Sequence, residues 1–159
     1  MYAPFHLSTG FLLNHYLNGG RSIAFALVFS VLPDLPYMAN LLWNGLRKRG
    51  KGMQSSDIHG SPLAGHVAAF FHGFPGFAAG CLCVAALNPG LVRPFLIGWL
   101  SHLALDYPFH APDGYHLLYP VPGFEIRSPL SYFDPAFHSR QVNLAALVLT
   151  VVGFLGIFL

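Results

Sequence analysis

Two kinds of residue, His and Asp, stand in apolar segments of this chain where their chemistry needs a reason. His102 and Asp106 lie four residues apart inside the apolar stretch GWLSHLALDYPFHAPDGYHLLY, residues 98–119. On a helix, positions i and i+4 share a face with Cβ atoms about 5–6 Å apart. An imidazole and a carboxylate so placed can grip one metal ion. The same spacing also serves as a polar contact between packed helices, and the pair alone does not separate the two readings. Asp34 sits at Leu32-Pro33-Asp34-Leu35-Pro36, a break in a second apolar run. His6, His66 and His72 lie in or at the ends of two more apolar segments.

The remaining acidic residues, Asp57, Asp113, Glu125 and Asp134, fall in polar or turn-rich stretches where water reaches them. Asp34 and Asp106 do not. An Asp at the centre of a bilayer costs about 2.5–3.5 kcal/mol. Such groups must be protonated, paired or bound to a cation. Nine histidines against eight Lys plus Arg make imidazole the obvious partner. A lone His in a membrane helix is more often a helix–helix hydrogen bond. Several His and two Asp spread over four segments make a nitrogen and oxygen metal shell the sharper reading. Competing chemistries lack their motifs: there is no GxSxG elbow, no P-loop and no dinucleotide fingerprint.

The elements that must position these groups follow from composition. The chain has 159 residues, 54% hydrophobic and 9% charged. Soluble domains carry about 25% charged residues, so this chain has too few to cover a water-facing surface. It reads as one integral-membrane domain over residues 1–159. The fold class is all-α, a multi-pass membrane helical bundle of about four to five helices. Expected spans are residues 4–18, 22–45, 62–88, 91–107 and 142–159, with a Pro- and aromatic-rich interfacial loop over 108–141. The first segment is short for a span, and the prolines at 33 and 36 kink or break the second. Pro75 marks a kink in the third, where Gly76 and Gly80 form a GxxxG that favours close helix approach. Cys81 and Cys83 read as buried thiols, since near neighbours on one helix rarely reach disulfide geometry. The first charged residue is Arg21, so the basic start of a signal peptide is missing.

A net charge of +2 without a basic helix face argues against nucleic acid as a partner. With the Arg47–Lys51 loop on the cytoplasmic side, six of the eight Lys and Arg fall inside, and Arg21 and Arg93 outside.

These residues together resemble the membrane-bound, metal-dependent hydrolases of bacterial inner membranes. The likeness covers roughly residues 1–122 and rests on four motifs. They are His6 with Gly10 four residues on, Leu32-Pro33-Asp34 after an apolar helix, His72 in a small-residue helix, and Ser101-His102 to Asp106 followed by Gly114 and Tyr119-Pro120. The order His, Asp, His, His-x-x-x-Asp is also similar to the helical zinc-dependent phospholipase C pattern. The family's His-Arg-Gly and Thr-His-Ser are absent, and His138 is followed by Val142 where a further His-x-x-x-Glu would complete a three-metal cluster. One or two ions fit the pattern better than three.

The resemblance implies a bacterial inner-membrane protein that hydrolyses a phosphoester or lipid-like substrate, with membrane lipid as its surroundings. On that reading Asp34, His72, His102 and Asp106 hold a divalent ion, and His6 is a further or bridging ligand. Zinc is the first choice, with manganese or iron as alternatives. Asp34 or Asp106 would orient the attacking water or take its proton. His66, His110 and His116 are candidates for the second shell or substrate contact. Arg127 and Arg140 are candidates for a phosphate, or simple anchors at the interface. The same buried groups also suit a metal or proton transporter, because intramembrane Asp and His mark ion paths. The absence of internal repeats speaks mildly against that alternative.

Overall fold

The computed structural model describes residues 3–48, 62–111, 114–132 and 134–158. It is helical almost throughout. The helices are α1 (Ala3–Asn18), α2 (Ile23–Val31), α3 (Leu35–Lys48), α4 (Pro62–His72), α5 (Phe74–Leu87), α6 (Val92–Asp106) and α7 (Ser139–Phe158). Two strands, β1 (Tyr115–His116) and β2 (Glu125–Ile126), pair antiparallel in the segment between α6 and α7.

Two helical stretches are long and apolar enough to cross a membrane, Ile23–Arg47 with 25 residues and Ser139–Phe158 with 20. A third exists if α4 and α5, bent by 71° at their junction, act as one span. A crossing needs about 20 apolar residues. At 16 and 15 residues, α1 and α6 are short of that length, so length does not support the expected count of four to five spans. Most of the Arg47–Lys51 loop lies outside the described residues, as do Asp57, His59 and Asp113.

The two proline-rich stretches break their helices differently. Pro33 has no N–H to give, and α2 yields to a single 3-10 turn, Leu32–Asp34, before α3 resumes. The turn buries Pro33 and Asp34. The second break falls at Gly73 rather than at Pro75, where the sequence suggested it. Gly73 adopts an extended backbone (φ −85°, ψ 159°), and Pro75 sits in the first turn of α5, where its missing N–H costs nothing. The backbone groups freed at the bend find partners across the bundle. Trp99 Nε1 donates to the Phe71 carbonyl at 3.2 Å, the Tyr107 hydroxyl donates to the His72 carbonyl, and the Phe74 N–H donates to Leu117 O at 2.7 Å. Broken backbone at membrane depth is tolerated only when satisfied in this way.

The apolar core is Phe95, Trp99 and Leu103 of α6, with Phe29 of α2, Phe71 of α4 and Phe77 of α5 packed against them. Glycine sets how closely the helices approach. A Cβ at Gly98 would run into the Ala26 carbonyl and come within 2.9 Å of Phe29 Cβ, and one at Gly10 would lie 2.8 Å from Ser30 Cβ. The backbone around Ser30 on α2 is therefore clasped between α1 and α6.

The cysteines differ from expectation. Cys81 is half-buried against the core, whereas Cys83 is exposed. Two residues on, a helix has turned about 200°, so both thiols cannot face inward.

Gly98→Ala should drive α2 off α6 and lower stability by about 1–3 kcal/mol, the usual cost of overpacking. Thermal unfolding in detergent checks this, with Ala104→Gly at an exposed position of the same helix expected to cost no more than about 1 kcal/mol.

Candidate metal centre

Six side chains meet at the centre of the bundle. His6 comes from α1, Asp34 from the 3-10 turn, His72 from the last turn of α4, His102 and Asp106 from α6, and His110 from the segment that follows α6. His6, His72 and His102 are fully buried, and Asp34 and Asp106 nearly so. The His110 side chain keeps 18% of its surface and is the rim of the cluster.

Asp34, His72, His102 and Asp106 each present one ligand atom, all within 4.8 Å of one another. The buried Asp-His-His-Asp group can hold a metal ion. His72 Nε2 lies 3.0 Å from His102 Nε2, 3.2 Å from Asp106 Oδ2 and 3.5 Å from Asp34 Oδ1. His102 Nε2 lies 3.2 Å from Asp106 Oδ2 and 3.8 Å from Asp34 Oδ1. Ligands about 2.0–2.1 Å from a tetrahedral ion sit about 3.3 Å apart. The observed separations bracket that value.

The orientation of the two imidazoles favours the same reading. His72 Nδ1 lies 2.7 Å from the Ala68 carbonyl, and His102 Nδ1 lies 2.8 Å from the Ser30 carbonyl. A carbonyl only accepts, so each Nδ1 is the protonated nitrogen and donates. In the neutral form, which metal binding requires, each ring turns a lone pair on Nε2 into the cluster, as when backbone carbonyls orient metal-binding histidines. Two lone pairs 3.0 Å apart repel unless a proton or a cation lies between them. A single proton satisfies one such pair; it does not engage four converging atoms. Two carboxylates in the same enclosure add to the demand for positive charge.

His6 completes the cluster from the other side. Its ring stacks on His102 at 3.9 Å between centroids and 25° between planes. Its Nε2 lies 3.2 Å from Asp106 Oδ1 and 3.9 Å from Asp34 Oδ2. His110 Nε2 lies 3.9 Å from Asp106 Oδ1. A backbone bridge to Ser131 and an edge contact with the Tyr132 ring hold His110 there. Burial lowers the His110 pKa from 6.5 to about 4, against the raising effect of Asp106, which leaves the ring neutral near pH 7. Burial, with Asp106 nearby, raises the Tyr132 pKa, so its hydroxyl stays protonated and donates to Leu105 O at 2.9 Å.

The other candidates named from sequence stand apart from these six. His66 is exposed and hydrogen-bonded to the Tyr119 hydroxyl at 2.7 Å. His116 is exposed on β1. Arg127 pairs with Glu125 at 2.9 Å on the exposed hairpin, and Arg140 is exposed in the first turn of α7. Ser30, Trp99 and Tyr107 were not singled out from sequence, although they hold the ligand-bearing backbone in place. Ser30 acts through a carbonyl that every residue type possesses, so no residue pattern marks it.

Beside the cluster runs an apolar cleft of about 570 Å³. Its inner wall includes Phe5, Leu105, Phe109 and Tyr132, and its outer wall is α7. Three of these residues adjoin His6, Asp106 and His110 in sequence. Ligand sites commonly measure about 300–1,000 Å³. No family model, curated protein or solved structure matches the chain.

Two outcomes follow. Tyr107→Phe removes the donor to the His72 carbonyl and should cost about 1–3 kcal/mol in thermal unfolding, because the acceptor stays buried. In chelator-treated protein the neutral, half-buried His110 should make stability fall as pH drops from 6.5 towards about 4, since the unfolded chain takes up the proton first. His110→Gln should flatten that slope in pH-dependent melts.

Proposed function

We propose that this chain is a metal-dependent membrane hydrolase acting on a phosphoester or lipid-like substrate. The observation that carries the reading is the convergence of His72 Nε2, His102 Nε2, Asp34 and Asp106, with both Nδ1 atoms committed to backbone carbonyls. A divalent ion, zinc by preference, supplies Lewis acidity and makes water a competent nucleophile near neutral pH.

The chain's own groups divide the remaining work. His72 and His102 fix the ligand geometry because their rings are held from behind. Asp34 and Asp106 offer carboxylate oxygens that orient a water and receive its proton. His110, on the rim, is the cluster residue that solvent reaches. The apolar cleft supports a substrate with a hydrocarbon portion, laid along α1 and α7 with its polar end toward His6, Asp106 and His110. Phe5, Phe109 and Tyr132 exclude water from that side. The resemblance to membrane-bound hydrolases favours the bacterial inner membrane, with the Arg47–Lys51 loop cytoplasmic.

Purified protein should turn over a phosphoester-containing lipid in mixed micelles, lose that turnover to a chelator, and regain it with added zinc or manganese. His102→Ala and Asp34→Asn should each reduce the rate by about 10²-fold or more. Metal uptake into vesicles with no hydrolysis would instead favour transport by the same residues.

A further inference from the structure

The two buried carboxylates face in two directions. Asp34 turns Oδ1 toward His72 and His102 and Oδ2 toward His6. Asp106 turns Oδ2 toward His72 and His102 and Oδ1 toward His6 and His110. Each carboxylate therefore presents one oxygen to the four-ligand group and the other to a second set of nitrogens. His6 is fully buried, yet neither of its ring nitrogens makes a hydrogen bond, and neither does Asp34 Oδ2. Leaving a buried polar atom unsatisfied costs about 1–3 kcal/mol. Two of these atoms, His6 Nε2 and Asp34 Oδ2, lie 3.9 Å apart and need a shared reason.

We propose that the cluster holds a second divalent cation, bound by His6, Asp34 Oδ2 and Asp106 Oδ1 with His110 at its rim, and bridged to the first ion by both carboxylates. His6 Nε2 is 3.2 Å from Asp106 Oδ1 and 3.9 Å from Asp34 Oδ2. A cation drawn between them needs only small movements of these side chains to reach oxygen and nitrogen bonds of about 2.0–2.2 Å. Two ions spanned by shared carboxylates sit about 3.5–4 Å apart, which is the scale of this cluster. The position has three nearby protein ligands and a fourth, looser one at the partly exposed side. Catalytic sites keep an open position of this kind, and structural sites do not. The inference rests on the metal-binding reading above, and the ion count separates the two.

The test is elemental analysis of the detergent-purified full chain after loading with Zn²⁺ alone, with Mn²⁺-loaded samples examined by electron paramagnetic resonance. Two ions per chain and a spin-coupled manganese signal are expected, with His6→Ala retaining one ion and an uncoupled signal. One ion per chain in the wild type overturns the second position and leaves the hydrolase reading standing. No retained ion overturns both. If His6→Ala does not fold, His110→Ala at the rim replaces it, and should weaken the second ion at least tenfold in competition with a chelator. Two ions held with unchanged affinity in the folded variant overturn the assignment.

Discussion

Two carboxylates enclosed by oily helices, met by four histidines and by no Lys or Arg in the cluster, are the constraint on which this structure turns. Charge of that kind is intolerable in an apolar enclosure unless something positive answers it. The histidines can accept protons, but the backbone carbonyls of Ala68 and Ser30 already claim one proton from each of two rings. That leaves both Nε2 atoms facing inward, 3.0 Å apart, beside the two carboxylates. The packing that clasps Ser30 between Gly10 and Gly98 is then more than helix contact, because it brings the Ser30 carbonyl up to His102.

Interruptions in the helices deliver the ligands. Asp34 lies in the 3-10 turn after α2, His72 ends α4 at the bend, Asp106 ends α6, and His110 lies beyond it. Uninterrupted helices would carry these side chains past one another at different heights. Each interruption exposes backbone groups, and Trp99, Tyr107 and Leu117 satisfy those at the bend. Trp99 of α6 and Tyr107 just beyond it therefore have two roles, packing in or against the core and closing the hydrogen bonds that a broken helix leaves open.

The helical class and the inner members of the buried His/Asp group were legible in the sequence because residue type and spacing carry them directly. His102 and Asp106 show their shared face through the i, i+4 interval, and Asp34 shows its importance by sitting beside Pro33 in an apolar run. His6 and His72 needed the motif order as well. The bend at Gly73 was not legible, because Pro75 is compatible with the first turn of a helix as much as with a kink. The number of crossings was not legible either, since apolar composition does not distinguish a short buried helix such as α6 from a full span. Among the outer histidines, His110 joins the cluster while His66 and His116 do not. That choice depends on the pairing of His110 with Ser131, a contact between segments 21 residues apart, and nothing local encodes it.

Helix α7 contributes none of the six clustered side chains and is largely uncovered along its length. It leans on α1 through small polar touches, Ser8 to Thr150 and the Tyr16 hydroxyl to the Gly153 carbonyl, with Leu12 seated over Gly153. The outer wall of the cleft thus supplies no member of the cluster, although Phe154 stacks on Phe11 and Asn143 donates to the Tyr132 carbonyl at 3.0 Å. A movement of its distal turns would widen the berth beside α1 without displacing any of the six clustered side chains, none of which it carries.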